Sequence, residues 1–378
     1  MTLHIFNPEH DTALVSKSPF NRYPRPLLDF ANDLAAMPLW WAKKGDAIAV
    51  PHADAAREWA SALPFDMPHV EFVEWSQLKT LYFNKIDPWG WDRGLRKKLQ
   101  YYGVNIGVDL ENIKRLSSRQ FAVFALQQVK QQAAVSAPTL ECIGDSTFCT
   151  SMEQVLECLA STPCAVLKAP WSGSGKGLRW TECGMNAELE QWCMRILNAQ
   201  KGIAVEPRLD KTADFALEYM CSDGIASYLG LSVFQNIDGG IYAGNLICRD
   251  ETVKLKRIGL GKTALEQLVE LHKELLDQQV APYYSGPLGI DCMVCGTAIQ
   301  PFVEMNLRRT AGMLALGIEE HLSTTAAYHS HLEYFEDPDA LTLRYNTLHS
   351  EYASDLILLA PLTPTSHYLH YLLGLVCF

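Results

Sequence analysis

Asp291, Glu304 and Asn306 make the sharpest chemical pattern in this sequence. Residues 288–294 and 299–306 are apolar runs split by a turn around Gly296, and they read as two strands of a hairpin. Glu304 and Asn306 are two apart, so they share a strand face, and a suitable register brings Asp291 onto it. Carboxylates facing each other across adjacent strands repel, unless a hard cation sits between them. Oxygen donors without histidine favour magnesium over zinc, and magnesium is usually held by one or two carboxylates plus substrate phosphates. The alternative is a pair of solvated acids on the outer face of an edge hairpin. Against it stand the apolar neighbours Ile290, Val303 and Met305. Arg308, in the basic turn that follows, could meet a phosphate or a carboxylate in bidentate fashion.

A second pattern lies upstream. An apolar strand at residues 164–169 carries Lys168 near its end, and a loop with Ser172, Gly173, Ser174, Gly175, Lys176 and Gly177 follows. Glycines let successive backbone N–H groups face an anion, and Lys168 and Lys176 add positive charge. Two phosphate motifs are excluded. A Walker A loop would need Gly where Pro170 stands and Ser or Thr where Gly177 stands, and the glycine spacing does not fit G-x-G-x-x-G. Taken alone, the loop is equally a hairpin turn.

Other polar groups are more ambiguous. Asn7, Glu9, His10 and Asp11 follow the first strand, where parallel sheets present ligand sites, but they also read as a capped polar turn. Arg249 after an apolar strand could hold a substrate carboxylate or be an exposed strand end. His329 and His331 read as surface histidines, and His272 as a satisfied core histidine. Cys292 and Cys295 form a lone C-x-x-C with no second pair, which argues against zinc.

The elements that must position these groups begin as α/β. Short strands at residues 3–6, 46–50 and 70–73 alternate with helical stretches such as 34–44, which suggests a parallel sheet. Residues 87–91 read as a break. Ser117 or Ser118 caps a helix that ends before Pro138. A helix at 152–160 precedes the Lys168 strand, and further strands are expected at 202–205, 214–219, 227–234 and 240–248. Residues 263–280 form an amphipathic helix. The domain boundaries expected are 1–115 for an N-terminal α/β domain, 116–205 for a segment with the glycine loop, 206–330 for a segment with the carboxylate–amide strands, and 331–378 for a C-terminal extension.

The 378 residues are 48% hydrophobic and 20% charged, an ordinary globular balance, and the net charge is −11. An acidic chain without a basic stripe is a poor nucleic-acid binder. The first residues lack a basic secretory n-region, and the terminal apolar run 368–378 is too short to span a bilayer, so a membrane is not expected. The 11 scattered cysteines fit reduced cytoplasmic thiols.

Together the two patterns resemble the ATP-grasp superfamily over residues 115–315. Val166-Leu167-Lys168-Ala169 and Ser172-Gly173-Ser174-Gly175-Lys176-Gly177-Leu178 are similar to its strand lysine and glycine loop. Ala204-Val205-Glu206-Pro207-Arg208 resembles its hinge strand. Gly289-Ile290-Asp291 and Val303-Glu304-Met305-Asn306-Leu307-Arg308 resemble its metal-ligand strands. The resemblance implies an α/β fold with an N-terminal α/β domain and two lobes that hold ATP between them. It implies Glu206 on the ribose and Mg2+ on Asp291, Glu304 and Asn306. Lys168 and Lys176 would hold the phosphates, and Arg308 the transferring group. Asp214 and Glu218 lie where the family keeps a further acid. Arg119 stands where relatives carry a phosphate-binding lysine. The implied chemistry is a ligase that activates a carboxylate as an acyl phosphate for attack by an amine, both small molecules. Phosphoryl transfer to a hydroxyl and non-catalytic nucleotide binding are the alternatives. Residues 331–378 carry no motif and could complete the fold, cover the site or pack a homodimer partner.

Overall fold

The computed structural model describes residues 1–16, 18–172, 177–237, 241–323 and 326–374, and the chain forms two compact units. The first comprises Met1–Val108, Ala243–Glu251 and Arg308–Phe378; the second comprises Asp109–Tyr242 and Thr252–Leu307.

The first unit holds a parallel sheet in the order Glu71–Glu74, Ala47–Val50, Thr2–Ile5, Lys85–Pro88. Ala47–Val50 is buried along its whole length, as a strand covered on both faces must be. Two expectations are corrected. Residues 87–91 do not simply break the chain, because Asp87 and Pro88 end an edge strand paired to His4 and Ile5. Proline is tolerated there, where no further strand needs its missing N–H. Residues 34–44 are not an α-helix: Arg25–Asp33 is the helix, and Met37–Trp40 is a single 3-10 turn with Pro38 in it. Pro38 lacks an N–H and its ring crowds the preceding turn, so no α-helix runs through residues 34–44, and the α-helix before it has already ended at Asp33.

The same unit carries antiparallel strands in the order Ile241–Cys248, Ala327–Tyr334, Tyr368–Gly374, Leu356–Leu358. Leu359, Leu369 and Leu372 are fully buried. The indole N–H groups of Trp40 and Trp59 donate to the carbonyls of Leu359 and Leu358 at 3.0 and 3.1 Å. The segment beyond residue 331 therefore completes this unit's core. Burial alone would raise the Asp87 carboxyl, but the neighbouring His4 and Arg309 hold it well below the usual carboxylate range.

The second unit has two antiparallel sheets. One runs Ala298–Asn306, Gly286–Cys295, Ala213–Ser222, Ile225–Ile237. The other runs Thr147–Cys149, Ile203–Pro207, Ala165–Lys168, Leu178–Thr181. Helices Arg119–Ser136 and Lys262–Gln279 pack on the first sheet. Ser118 caps the former by accepting from the Phe121 N–H at 3.2 Å. His272 is a core histidine, as expected: Nε2–H donates to the Pro301 carbonyl at 2.7 Å, and Nδ1 lies 3.2 Å from the Tyr219 hydroxyl.

Burial lowers the His272 pKa to about 4, against about 6.5 in an unfolded chain. Between those values the unfolded chain binds a proton that the folded one does not, so stability falls as pH drops through that window. Urea midpoints measured from neutral pH down to pH 4.5 are expected to fall less steeply in His272→Gln than in the wild type. Equal slopes would assign the acid sensitivity to other groups.

Candidate active site

The hairpin predicted from Gly296 forms. Gly296 takes φ +65° in the turn, and Asp291 stands directly opposite Glu304 in the antiparallel register. Asn306, two residues on, shares their face, and its amide nitrogen lies 3.4 Å from Asp291 Oδ2. Asn306 faces Gly289, and on the other side Gly289 faces Glu218. Opposed residues share a face, so Glu218 joins the set, with a glycine's missing side chain between it and Asn306. Glu218 is fully buried and accepts from the Ser232 hydroxyl at 3.3 Å. Asp214 is tied instead to Lys211 and Asn236, at 2.5 and 3.0 Å.

Arg119 opens its helix with a buried side chain and forms an ion pair with Glu304. Its guanidinium also reaches the Val303 carbonyl at 3.4 Å, and its backbone N–H donates to the Pro170 carbonyl at 2.9 Å. One residue thus links the acidic strand to the start of the glycine loop.

Lys168 forms a 2.5 Å ion pair with Glu206, both nearly buried, and the Ser146 hydroxyl donates to Glu206 at 3.2 Å. The strand register explains the pair. Ala165–Lys168 lies between Ile203–Pro207 and Leu178–Thr181, so the expected phosphate lysine and the expected ribose acid sit on adjacent strands. Lys168 and Leu178 face each other in that pairing, and just beyond them the Ala169 N–H donates to the Gly177 carbonyl at 2.9 Å. A Cβ on Gly177 would come within 2.3 Å of Ser172, so this close approach demands glycine. Gly173, Ser174, Gly175 and Lys176 lie outside the described residues.

Among the described residues, no three His, Cys, Asp or Glu side chains converge closely enough to hold a metal ion. Asp291, Glu304 and the Asn306 side-chain carbonyl are oxygen donors of the kind that a hard cation takes. Cys292 is buried, and its thiol reaches the Pro301 carbonyl at 3.2 Å.

The remaining candidates fall in the first unit. Arg308 is bidentate on Asp11, Nε to Oδ1 at 2.8 Å and one terminal nitrogen to Oδ2 at 2.9 Å. Asn7 spends its amide locally: it donates to the Gly90 carbonyl at 2.7 Å and to Asp92 at 3.1 Å, and accepts from the Gly90 N–H at 3.2 Å. His10 is buried, which lowers its pKa, and a Cβ on Gly90 would fall 2.5 Å from its ring. Arg249 is exposed and donates to the Leu322 carbonyl at 3.2 Å. His329 and His331 lie 5.0 Å apart on the Ala327–Tyr334 strand, and His331 stacks on Tyr371.

No protein-family model matches the chain, and no curated protein matches it in sequence. Solved structures match along almost its whole length. N5-carboxyaminoimidazole synthetase from Staphylococcus aureus, complexed with ADP, is 12% identical with a TM-score of 0.52 and covers 99% of this chain and 93% of its own. Biotin carboxylase from Campylobacter jejuni, in a β,γ-ATP complex, is 11% identical with a TM-score of 0.56, covering 99% and 87%. The biotin carboxylase domain dimer of Hydrogenobacter thermophilus 2-oxoglutarate carboxylase, with MgADP, ADP and bicarbonate, is 11% identical at 0.55, covering 99% and 86%. At such identities the likeness is one of fold. The chain has the mixed α/β, ATP-grasp fold that its two half-motifs resemble. No described helix is long and apolar enough to cross a membrane.

Proposed function

We propose that this protein is an ATP- and Mg2+-dependent ligase that joins a small carboxylate to a small amine. The observation that carries the reading is the in-register pair Asp291 and Glu304, with Asn306 on the same face. Its fold neighbours' complexes with ADP, β,γ-ATP and MgADP support it.

In this reading Asp291, Glu304 and the Asn306 carbonyl oxygen hold Mg2+, which when bound neutralises charge on the phosphate oxygens. Lys168 and the loop at residues 172–177 bind phosphate through ammonium and backbone N–H groups. Glu206 takes the ribose hydroxyls. Arg119 holds Glu304 in place and adds a positive charge behind it. The substrate carboxylate attacks the γ-phosphorus and ADP leaves. The amine then attacks the acyl carbon, phosphate leaves, and the nitrogen gives up a proton. Such a site works by positioning and charge neutralisation, without a protein nucleophile. Arg308, bidentate on Asp11 in this structure, keeps in this reading the role toward the transferring group that the resemblance implies.

The test has two stages. Mg-ATP at about a hundred times its Kd is expected to stabilise the protein by about 2.7 kcal/mol, read as a rise in melting temperature absent with Mg2+ alone. Carboxylate and amine panels should then yield ADP and phosphate together. No thermal response to Mg-ATP would overturn the nucleotide assignment. ADP without free phosphate would mark a kinase-type transfer, and binding without turnover across the panels a non-catalytic protein.

A further inference from the structure

The first unit contains a cavity of about 380 Å3 at the carboxyl ends of the Thr2–Ile5 and Ala47–Val50 strands, walled by helices Arg25–Asp33 and Arg93–Tyr101. Open parallel sheets bind ligands in this position, and the volume falls in the range of small-molecule sites, roughly 300–1,000 Å3. None of the groups assigned above to nucleotide or metal lines it.

Its chemistry is not that of a phosphate site. The turn after the first strand carries Asn7, Pro8 and Glu9 where a dinucleotide fold would carry glycines, and the helix that follows spans only His10–Val15. A carboxylate, Glu9, lines the cavity and would repel a phosphate. Lys98 lines it too. Its ammonium lies over the Trp75 ring, 3.5 Å from the centroid, a contact that orients the cation without neutralising it. Among the described residues nothing hydrogen-bonds the buried Glu9 Oε2. Tyr23 accepts from the Asn21 amide at 3.1 Å, which leaves its O–H hydrogen available to an acceptor in the cavity. Much of the remaining wall is apolar, with Phe6, Leu28 and Leu95.

Burial pushes the Glu9 carboxyl up and the Lys98 ammonium down, and each charge partly offsets the shift of the other. Both groups therefore gain from a ligand that brings the complementary charge to each. A lone cation would serve only Glu9, and a lone anion only Lys98.

We propose that this cavity binds a zwitterion of the α-amino acid class, with its ammonium on Glu9, its carboxylate on Lys98 and the Tyr23 hydroxyl, and its side chain against the apolar wall. This goes beyond the nucleotide reading and does not rest on it. The test is calorimetric titration of the full chain, without nucleotide or Mg2+, with each standard L-amino acid at millimolar concentration. At least one is expected to bind, and its methyl ester and N-acetyl derivative to bind at least tenfold more weakly. Glu9→Gln and Lys98→Met should each weaken it roughly tenfold to a hundredfold, as loss of a charge-assisted hydrogen bond does. Leu28→Trp keeps every charge and changes a half-exposed helix position, so it should fold normally, fill the cavity and abolish binding. Binding by no amino acid, equal binding of the blocked derivatives, or wild-type affinity in Leu28→Trp would each overturn the proposal.

Discussion

Replacing Glu304 with alanine is expected to lower ATP turnover by at least about a hundredfold to a thousandfold, in line with losing a principal electrostatic contact to a transferring phosphoryl group. Asp291 and Glu304 stand opposed across the hairpin, and on the proposed reading Asp291 alone would give a divalent ion one anionic ligand in place of two. The substitution has a second effect. Arg119 is almost fully buried and loses its carboxylate partner. Removing one member of a fully buried pair costs roughly 3–5 kcal/mol. Glu304 is 28% exposed at its side chain, so water screens part of that cost and the loss should be smaller. Glu304→Gln separates the effects, because a glutamine oxygen still accepts from Arg119 while the anionic ligand is gone. The expected pattern is a urea midpoint close to wild type in Glu304→Gln with turnover as low as in the alanine variant. Wild-type turnover in either variant would refute the metal assignment.

Lys168→Met is expected to be the most destabilising of the candidate-site substitutions, and to weaken ATP binding as well. Lys168 and Glu206 are 7% and 9% exposed at their side chains. Methionine keeps the volume but leaves Glu206 as a buried carboxylate without its cation, still accepting from the Ser146 hydroxyl. The cost should be roughly 3–5 kcal/mol. Exchanging both partners removes the unpaired charge, so Lys168→Met with Glu206→Leu should recover most of that stability. It should not recover nucleotide affinity, since both groups have a nucleotide role in the proposed function. Denaturation curves and Mg-ATP titrations on the wild type and the two variants check this. A double variant that binds ATP like the wild type would leave the pair a purely structural role.

The hairpin that carries Asp291 and Glu304 is legible in the sequence because it is local. A turn at Gly296 and two alternating runs leave few registers, and one of them opposes the acids. The Arg119 helix is legible for the same reason, its cap and its apolar spacing lying within a few residues of each other. Glu218 was only loosely placed. Its position beside Gly289 depends on pairing between Ala213–Ser222 and Gly286–Cys295, strands about seventy residues apart. The Lys168–Glu206 pair was hidden in the same way, since two roles toward one ligand do not announce that the side chains meet. Arg308 shows the limit most plainly. Its capacity for bidentate pairing could be read from its type, but Asp11, 297 residues earlier, could not be read as its partner. Pro38 excludes an α-helix through residues 34–44, whereas Pro88 ends an edge strand where its missing N–H is not needed.

The division of the chain into interleaved segments bears on how the protein is made. All of the second unit is synthesised before Arg308 emerges, whereas the first unit needs its opening 108 residues, the short piece at 243–251 and everything from 308 onward. At roughly 5–20 residues per second, Asp11 waits about 15–60 s on the ribosome before Arg308 exists to pair with it. Throughout that interval the indole N–H groups of Trp40 and Trp59 lack the carbonyls of Leu359 and Leu358 that later accept from them. Chaperone dependence during translation should therefore fall on the amino-terminal segment, and slowing the ribosome late in the message should harm the yield of soluble protein more than slowing it early.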